Sequence, residues 1–157
     1  MINKYESYQM HIMNEFAKTM EMFGLTAMEA RLIVYLYLED QPQTLDDMSS
    51  ALGKSKTSVS TSIRKLADLN LVTQVWKKGV RKDLYTVNSQ MFNILVDSYI
   101  RKWLDTASRQ EEALEEIKQH VKESTHDDAK DRVQLLNRLD EMIRFHRKLQ
   151  NIYNVMN

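Results

Sequence analysis

The sequence contains no cysteine, one proline and only three glycines in 157 residues. The first absence excludes disulfides, thiolate metal sites and a thiol redox switch. The scarcity of chain breakers excludes a many-stranded, turn-rich β fold and points to long helices. No apolar run reaches the roughly 18–20 residues needed to cross a bilayer, so no membrane partner is expected. The start of the chain, Met1-Ile2-Asn3-Lys4-Tyr5-Glu6, has no basic flank leading into an apolar run. No secretory signal is therefore expected, and the cytoplasm is the expected location. Net charge is also missing, with 22 Lys and Arg against 22 Asp and Glu.

Zero net charge argues at first against a nucleic-acid partner, but the distribution reverses that reading. From Gly53 to Asp83 there are eight cations (Lys54, Lys56, Arg64, Lys65, Lys77, Lys78, Arg81, Lys82) against Asp68 and Asp83. From Asp105 to Arg132 nine acids face five bases. A basic middle and an acidic tail describe a polarised molecule with one face suited to a polyanion.

Apolar periodicity predicts a mainly α fold with a small β-hairpin. Met13, Phe16, Met20 and Phe23 mark a first helix from Tyr5 to Phe23, ended by Gly24. Thr26 and Glu29 have capping-box spacing and open a second helix running to about Glu39. Thr44 and Asp47 repeat that spacing before a short third helix with Leu45, Met48 and Leu52 inward, closed by Gly53. Ser55 caps a fourth helix extending to about Asn70. Strands are predicted at Leu71–Trp76 and Lys82–Val87, joined by Lys77-Lys78-Gly79-Val80-Arg81. From Gln90 to about Lys122 a long helix carries Phe92, Leu95, Val96, Tyr99, Trp103 and Leu104 as one stripe. Ser124 to Asp128 interrupts it. A last helix, Ala129 to about Asn154, has the stripe Val133, Leu136, Leu139, Met142 or Ile143, His146, Leu149 or Gln150, and Tyr153.

Helix, short helix, tight turn, helix and two-stranded ribbon is the order of a winged helix-turn-helix. Gly53 supplies the positive φ that the reversal Leu52-Gly53-Lys54-Ser55 needs. At about 100° per residue, Val59, Ile63 and Leu66 of the next helix share a core face. Thr57, Thr61, Arg64 and Asp68 fall opposite, with Ser60 on a flank. Between Ser55 and Ser62 stand four Ser and two Thr, all poor formers of helix interiors. A merely solvated face would not select them. A helix entering the major groove needs short side chains with donors for phosphates and base edges. Lys54, Ser55, Lys56, Thr57, Ser58, Ser60, Thr61, Arg64 and Lys65 are thus expected to meet duplex DNA. Lys77, Lys78, Arg81 and Lys82 would either protect a sheet edge or form a wing. Beside a recognition helix the wing reading is preferred, with Arg81 in the minor groove and the lysines on phosphates.

The run Leu52-Gly-Lys-Ser-Lys-Thr-Ser-Val-Ser-Thr-Ser-Ile-Arg-Lys-Leu66 is followed by Leu71-Val72 and Trp76-Lys-Lys-Gly-Val-Arg-Lys-Asp-Leu-Tyr85. This pattern resembles the MarR superfamily, and within it the GbsR-like branch of regulators of choline uptake and glycine betaine synthesis. The likeness spans about Phe16 to Val87. It implies a Ser/Thr-rich helix in the major groove, mapping to Ser55, Thr57, Ser58, Ser60, Thr61 and Arg64, and a wing arginine at Arg81. One departure is visible: the broader superfamily has an acid two residues before that arginine, where this chain has Gly79.

One winged helix reads about one half-site, so a homodimer is expected. The division would be 1–24 as an N-terminal dimerisation helix, 25–88 as the DNA-binding domain and 89–157 as a helical dimerisation region. A helical hairpin packed on its own winged domain is the alternative. An effector such as choline would require an aromatic cage. Tyr35, Tyr37, Trp76, Phe92, Tyr99 and Trp103 are candidates, each equally at home in a core. Tyr99 and Trp103, one turn apart, are preferred. His11, His120, His126 and His146 are scattered; His126-Asp127-Asp128 reads better as a solvated loop than as a cation site. No nucleophile–base pair or phosphate loop is present, so neither an enzyme nor a cofactor is expected. The expected function is a dimeric, ligand-responsive repressor binding an operator. The competing readings are a MarR-like regulator of another pathway and a winged-helix module for protein–protein contact.

Overall fold

The computed structural model describes residues 1–124 and 128–156. In order, the described elements are α1 (Lys4–Met22), α2 (Ala27–Leu38), α3 (Leu45–Leu52), α4 (Lys56–Asp68), β1 (Val72–Val75), β2 (Leu84–Val87), α5 (Met91–Glu123) and α6 (Ala129–Met156). The fold is a winged helix-turn-helix followed by two long helices. Two compact units divide the chain, Met1–Val96 and the stretch from Asp97 onward.

In the first unit each helix start is secured by its own sequence. Thr26 and Glu29 form the expected capping box, with both backbone-to-side-chain bonds at 3.2 Å. Thr44 and Asp47 form another at 2.9 and 3.1 Å. A third box, Asn3 with Glu6, opens α1 one residue earlier than the apolar pattern suggested. These caps satisfy amides that would otherwise lack partners. They orient apolar faces toward one core built on Met20, Leu32, Ile33, Leu36, Met48, Ile63, Leu66 and Leu71. Each such side chain contributes about 1.5–3 kcal/mol by leaving water. The first turns of α5 join this core through Met91 and Leu95.

The hairpin pairs Val72 with Val87 and Val75 with Leu84, antiparallel. Both strands are shorter than their alternating patterns implied. Trp76, Lys82 and Asp83 lie outside the ladder. There the Gln74 amide donates to the Asp83 carboxylate at 2.9 Å, a side-chain bond where backbone pairing has ended. Gln43 adds an isolated bridge to Tyr85, with both backbone bonds at 2.9 Å.

The second unit comprises the rest of α5 with α6. Its buried apolar residues are Ala107, Leu139 and Ile143. Arg147 of α6 donates to Glu111 and Glu115 of α5, both at 2.8 Å. Gln150 donates to Glu111 at 2.6 Å, and Lys118 pairs with Asp140 at 2.6 Å. The expected stripe on α5 splits in two. Phe92, Val96, Tyr99 and Trp103 are exposed, while Met91 and Leu95 are buried. The reason is angular: at about 100° per residue the first four positions make a stripe of their own, rotated from Met91 and Leu95. On α6, Ile143 rather than Met142 faces inward, and Val133 is exposed. Of the expected break between α5 and α6, Thr125, His126 and Asp127 lie outside the described residues.

Candidate nucleic-acid interface

The α3–α4 reversal is built from local bonds. Gly53 sits at φ 63° and ψ 34°, left-handed backbone that a side chain would strain. The Lys54 amide donates to the Ser49 carbonyl at 3.2 Å. The Ser49 hydroxyl donates back to the Lys54 carbonyl, closing the turn from both sides. Ser55 then accepts from the Ser58 amide at 3.2 Å and starts α4. The Ser55 oxygen is thus committed to capping, which sequence reasoning had foreseen alongside its place on the DNA face.

Val59, Ile63 and Leu66 are buried, which turns the other side of α4 outward. Thr57, Ser58, Thr61, Arg64 and Lys65 are exposed, and Ser60 is half-buried. The Thr61 hydroxyl donates to the Thr57 carbonyl at 3.0 Å. Arg64 reaches the Ser60 hydroxyl at a loose 3.4 Å, a contact easily exchanged for a phosphate or a base. The outward face offers hydroxyls and one guanidinium, without an exposed large apolar anchor.

Residues 76–83 form the wing. Its turn closes through the Val80 amide on the Lys77 carbonyl at 3.1 Å, with Gly79 at φ 83°. Lys77, Lys78 and Arg81 are exposed and make no ion pair among the described residues; the same holds for Lys54 and Lys65. Lys56 and Lys82 differ. Both bind Asp46 in the first turn of α3, Lys56 to Oδ1 at 2.9 Å and Lys82 to Oδ2 at 2.6 Å. These two lysines hold the Asp46 carboxyl down near pH 2, the hydrogen bond from Lys82 being the larger cause. The same bond raises the Lys82 ammonium above its ordinary value. Sequence reasoning missed Asp46 because it lies outside the basic stretch; only the fold carries it there.

The candidate ligand residues fall in both units. Tyr35 is half-buried, donates to Gln43 Oε1 at 2.8 Å, and has its hydroxyl pushed up to about 12 by burial. Trp76 is 82% exposed at the wing base. Phe92 makes edge contacts with Phe16 and Tyr37, at centroid separations of 5.9 and 5.2 Å. Tyr99 and Trp103 belong to the second unit and are exposed there.

Comparison with known proteins places these features. The model described as "Bacterial regulatory protein, arsR family" matches residues 29–74, from the first turn of α2 to β1. The HTH-type transcriptional repressor OpcR of Bacillus subtilis (strain 168) is 29% identical over 147 residues, 90% of this chain and 80% of that protein. The HTH-type transcriptional repressor GbsR of the same organism is 33% identical over 92 residues, 59% of this chain. The chain spans about half of GbsR, 51% of its length. A solved structure of a transcriptional regulator superposes with a TM-score of 0.57 at 17% identity, covering 94% of each chain. At that identity the likeness shows the fold.

Proposed function

We infer that this chain, a transcription regulator of the MarR-type helix-turn-helix family, works as a homodimeric repressor released from its operator by a small cationic effector. It is not an enzyme. The observation that carries the DNA reading is the hydroxyl-and-arginine face of α4 beside a wing with three cations that make no ion pair among the described residues. In this reading α4 enters the major groove with Thr57, Ser58, Ser60, Thr61 and Arg64 toward bases and phosphates. Lys54, Lys65, Lys77 and Lys78 meet phosphates, and Arg81 enters the minor groove. The outward face of α4 carries no apolar anchor of the kind a protein-docking surface uses, which disfavours the protein–protein alternative for that helix.

Dimerisation is supported by apolar side chains that the single chain leaves in water. Tyr5, Tyr8 and Ile12 on α1 are exposed, as are Leu135, Met142, Phe145 and Ile152 on α6. For a quaternary ammonium such as choline, the aromatic candidates are Tyr35, Trp76 and Phe92 in the first unit and, separately, Tyr99 and Trp103, one turn apart on α5 in the second. That last step rests on the resemblance to GbsR-like regulators. Localisation in the cytoplasm follows from the DNA reading.

The test is a fluorescence-anisotropy titration of duplex DNA across a salt series, with light scattering for mass. Binding should fall steeply with salt, and Arg64→Ala and Arg81→Ala should each cost about 1–3 kcal/mol. The scattering mass should be twice the 18.6 kDa chain. Salt-independent binding, or two inert arginine variants, would overturn the DNA reading. Calorimetry that gives no heat with choline or betaine aldehyde would remove the effector.

A further inference from the structure

Asp46 stands apart from the other acids near the basic face. Asp47 is consumed by the capping box of α3, and Asp83 holds the Gln74 amide. Asp46 instead places one oxygen on a lysine of α4 and the other on a lysine of the wing. Its side chain is 40% exposed, and those of Lys56 and Lys82 are 62% and 67% exposed. All three groups therefore lie where solvent, and a docked backbone, can reach them. Two ammonium groups converging on a pair of anionic oxygens is also how lysines hold the two free oxygens of a phosphodiester. The protein's own carboxylate occupies a position that a DNA phosphate would otherwise take.

We propose that Asp46 is an internal stand-in for a DNA phosphate: it occupies Lys56 and Lys82, withholds two backbone contacts, and so sets the sequence-independent part of DNA affinity. This rests on the DNA-binding reading above. Exposed ion pairs are weak and exchange readily, so the lysines remain available at the cost of giving up Asp46. The carboxylate itself repels any phosphate that approaches the α4–wing junction. Among the described residues, Lys54, Lys65, Lys77, Lys78 and Arg81 carry no such brake.

The experiment compares Asp46→Asn, Asp46→Glu and wild type on random-sequence duplex DNA from low to high salt. Each phosphate neutralised adds about 0.9 to the slope of log K against log salt. Freeing two lysines should therefore steepen the slope by up to about 2 per subunit. Affinity at 0.1 M salt should rise about tenfold for each lysine that gains a phosphate, by the same relation. Asp46→Glu keeps the carboxylate and should retain the wild-type slope. Adding Lys56→Gln and Lys82→Gln to Asp46→Asn should abolish the gain. An unchanged slope in Asp46→Asn, or an affinity that falls, overturns the proposal while leaving the DNA reading intact. Wild-type protein without salt-dependent DNA binding would instead overturn the reading on which the proposal rests. Thermal melts of each variant separate these outcomes from misfolding.

Discussion

The two units of this chain are stabilised in different ways. Met1–Val96 closes a core in which Ala30, Leu32, Ile33, Met48, Val59 and Leu66 are wholly buried. From Asp97 onward the buried apolar set shrinks to Ala107, Leu139 and Ile143, and the helices are tied by ion pairs around Arg147 and Lys118. The first unit closes one contiguous core of its own, although Tyr5, Tyr8 and Ile12 on α1 stay exposed. The second leaves Leu135, Met142, Phe145 and Ile152 in water, a condition that a second copy would relieve.

The sharpest way to break this contrast is to cut the same side chain in both units. Leu66→Ala removes a side chain with no exposure from the last turn of α4 and should destabilise by about 2–5 kcal/mol. Urea melts should show that loss equally at micromolar and at tenfold higher protein concentration. If a second copy covers this unit as proposed, Leu139→Ala should cost less in dilute protein, and its cost should change with concentration. If both variants lose the same stability at every concentration, the second unit has a complete core of its own.

Sequence and structure part company along the same line. In the first unit the reading from residues succeeded because the signals are local. Capping boxes at Thr26 and Thr44 act over three residues, Gly53 declares its own φ, and Val59, Ile63 and Leu66 repeat at helical spacing. The likeness of residues 52–85 to MarR-superfamily, GbsR-like regulators held for the same reason. What failed was non-local. Asp46 meets Lys82 across 36 positions, and no periodicity reports such a pair. On α5 the apolar residues make two stripes, and a single window over Phe92 to Leu104 merges them. Only a partner surface distinguishes a stripe that packs inward from one that waits to be covered.

A gentler perturbation uses pH, since the units hold their charges differently. The Glu111 carboxyl sits below its ordinary value of 4.5, chiefly through the hydrogen bond from Arg147. The Asp140 carboxyl is lowered likewise by Lys118. A carboxyl lowered on folding adds stability above its unfolded value, and that stability is lost as pH falls through the folded value. The α5–α6 unit should therefore lose stability as pH drops below about 4.5; in the first unit Asp46, held near 2 by Lys82 and Lys56, adds an acid loss of its own at lower pH, while the buried core carries no charge. Hydrogen exchange from pH 5 to pH 3 can read the units separately. Glu111→Gln should weaken the second unit at neutral pH and flatten its acid dependence. A Glu111→Gln protein whose second unit is as protected and as acid-sensitive as wild type would show that the Glu111–Arg147 bond contributes nothing to the pairing.

The smallest expected effects distinguish two glycines within the first unit. Gly53 and Gly79 both have positive φ, 63° and 83°, and a methyl group at either would meet nothing within 4 Å. Alanine at either position therefore adds backbone strain and no clash, on the order of 1–2 kcal/mol where the surroundings hold the conformation. They do so at Gly53, where the Ser49–Lys54 bonds and the Ser55 cap fix the turn between two core-packed helices. At Gly79 the wing turn is held by the single backbone bond from Val80 to Lys77 and relaxes more readily. Gly53→Ala should lower global stability by about 1 kcal/mol, and Gly79→Ala by less than half of that. Gly79→Ala should instead appear as a small loss of DNA affinity through a shifted Arg81. Equal urea costs would mean that the wing is as firmly coupled to the core as the helix-turn-helix itself.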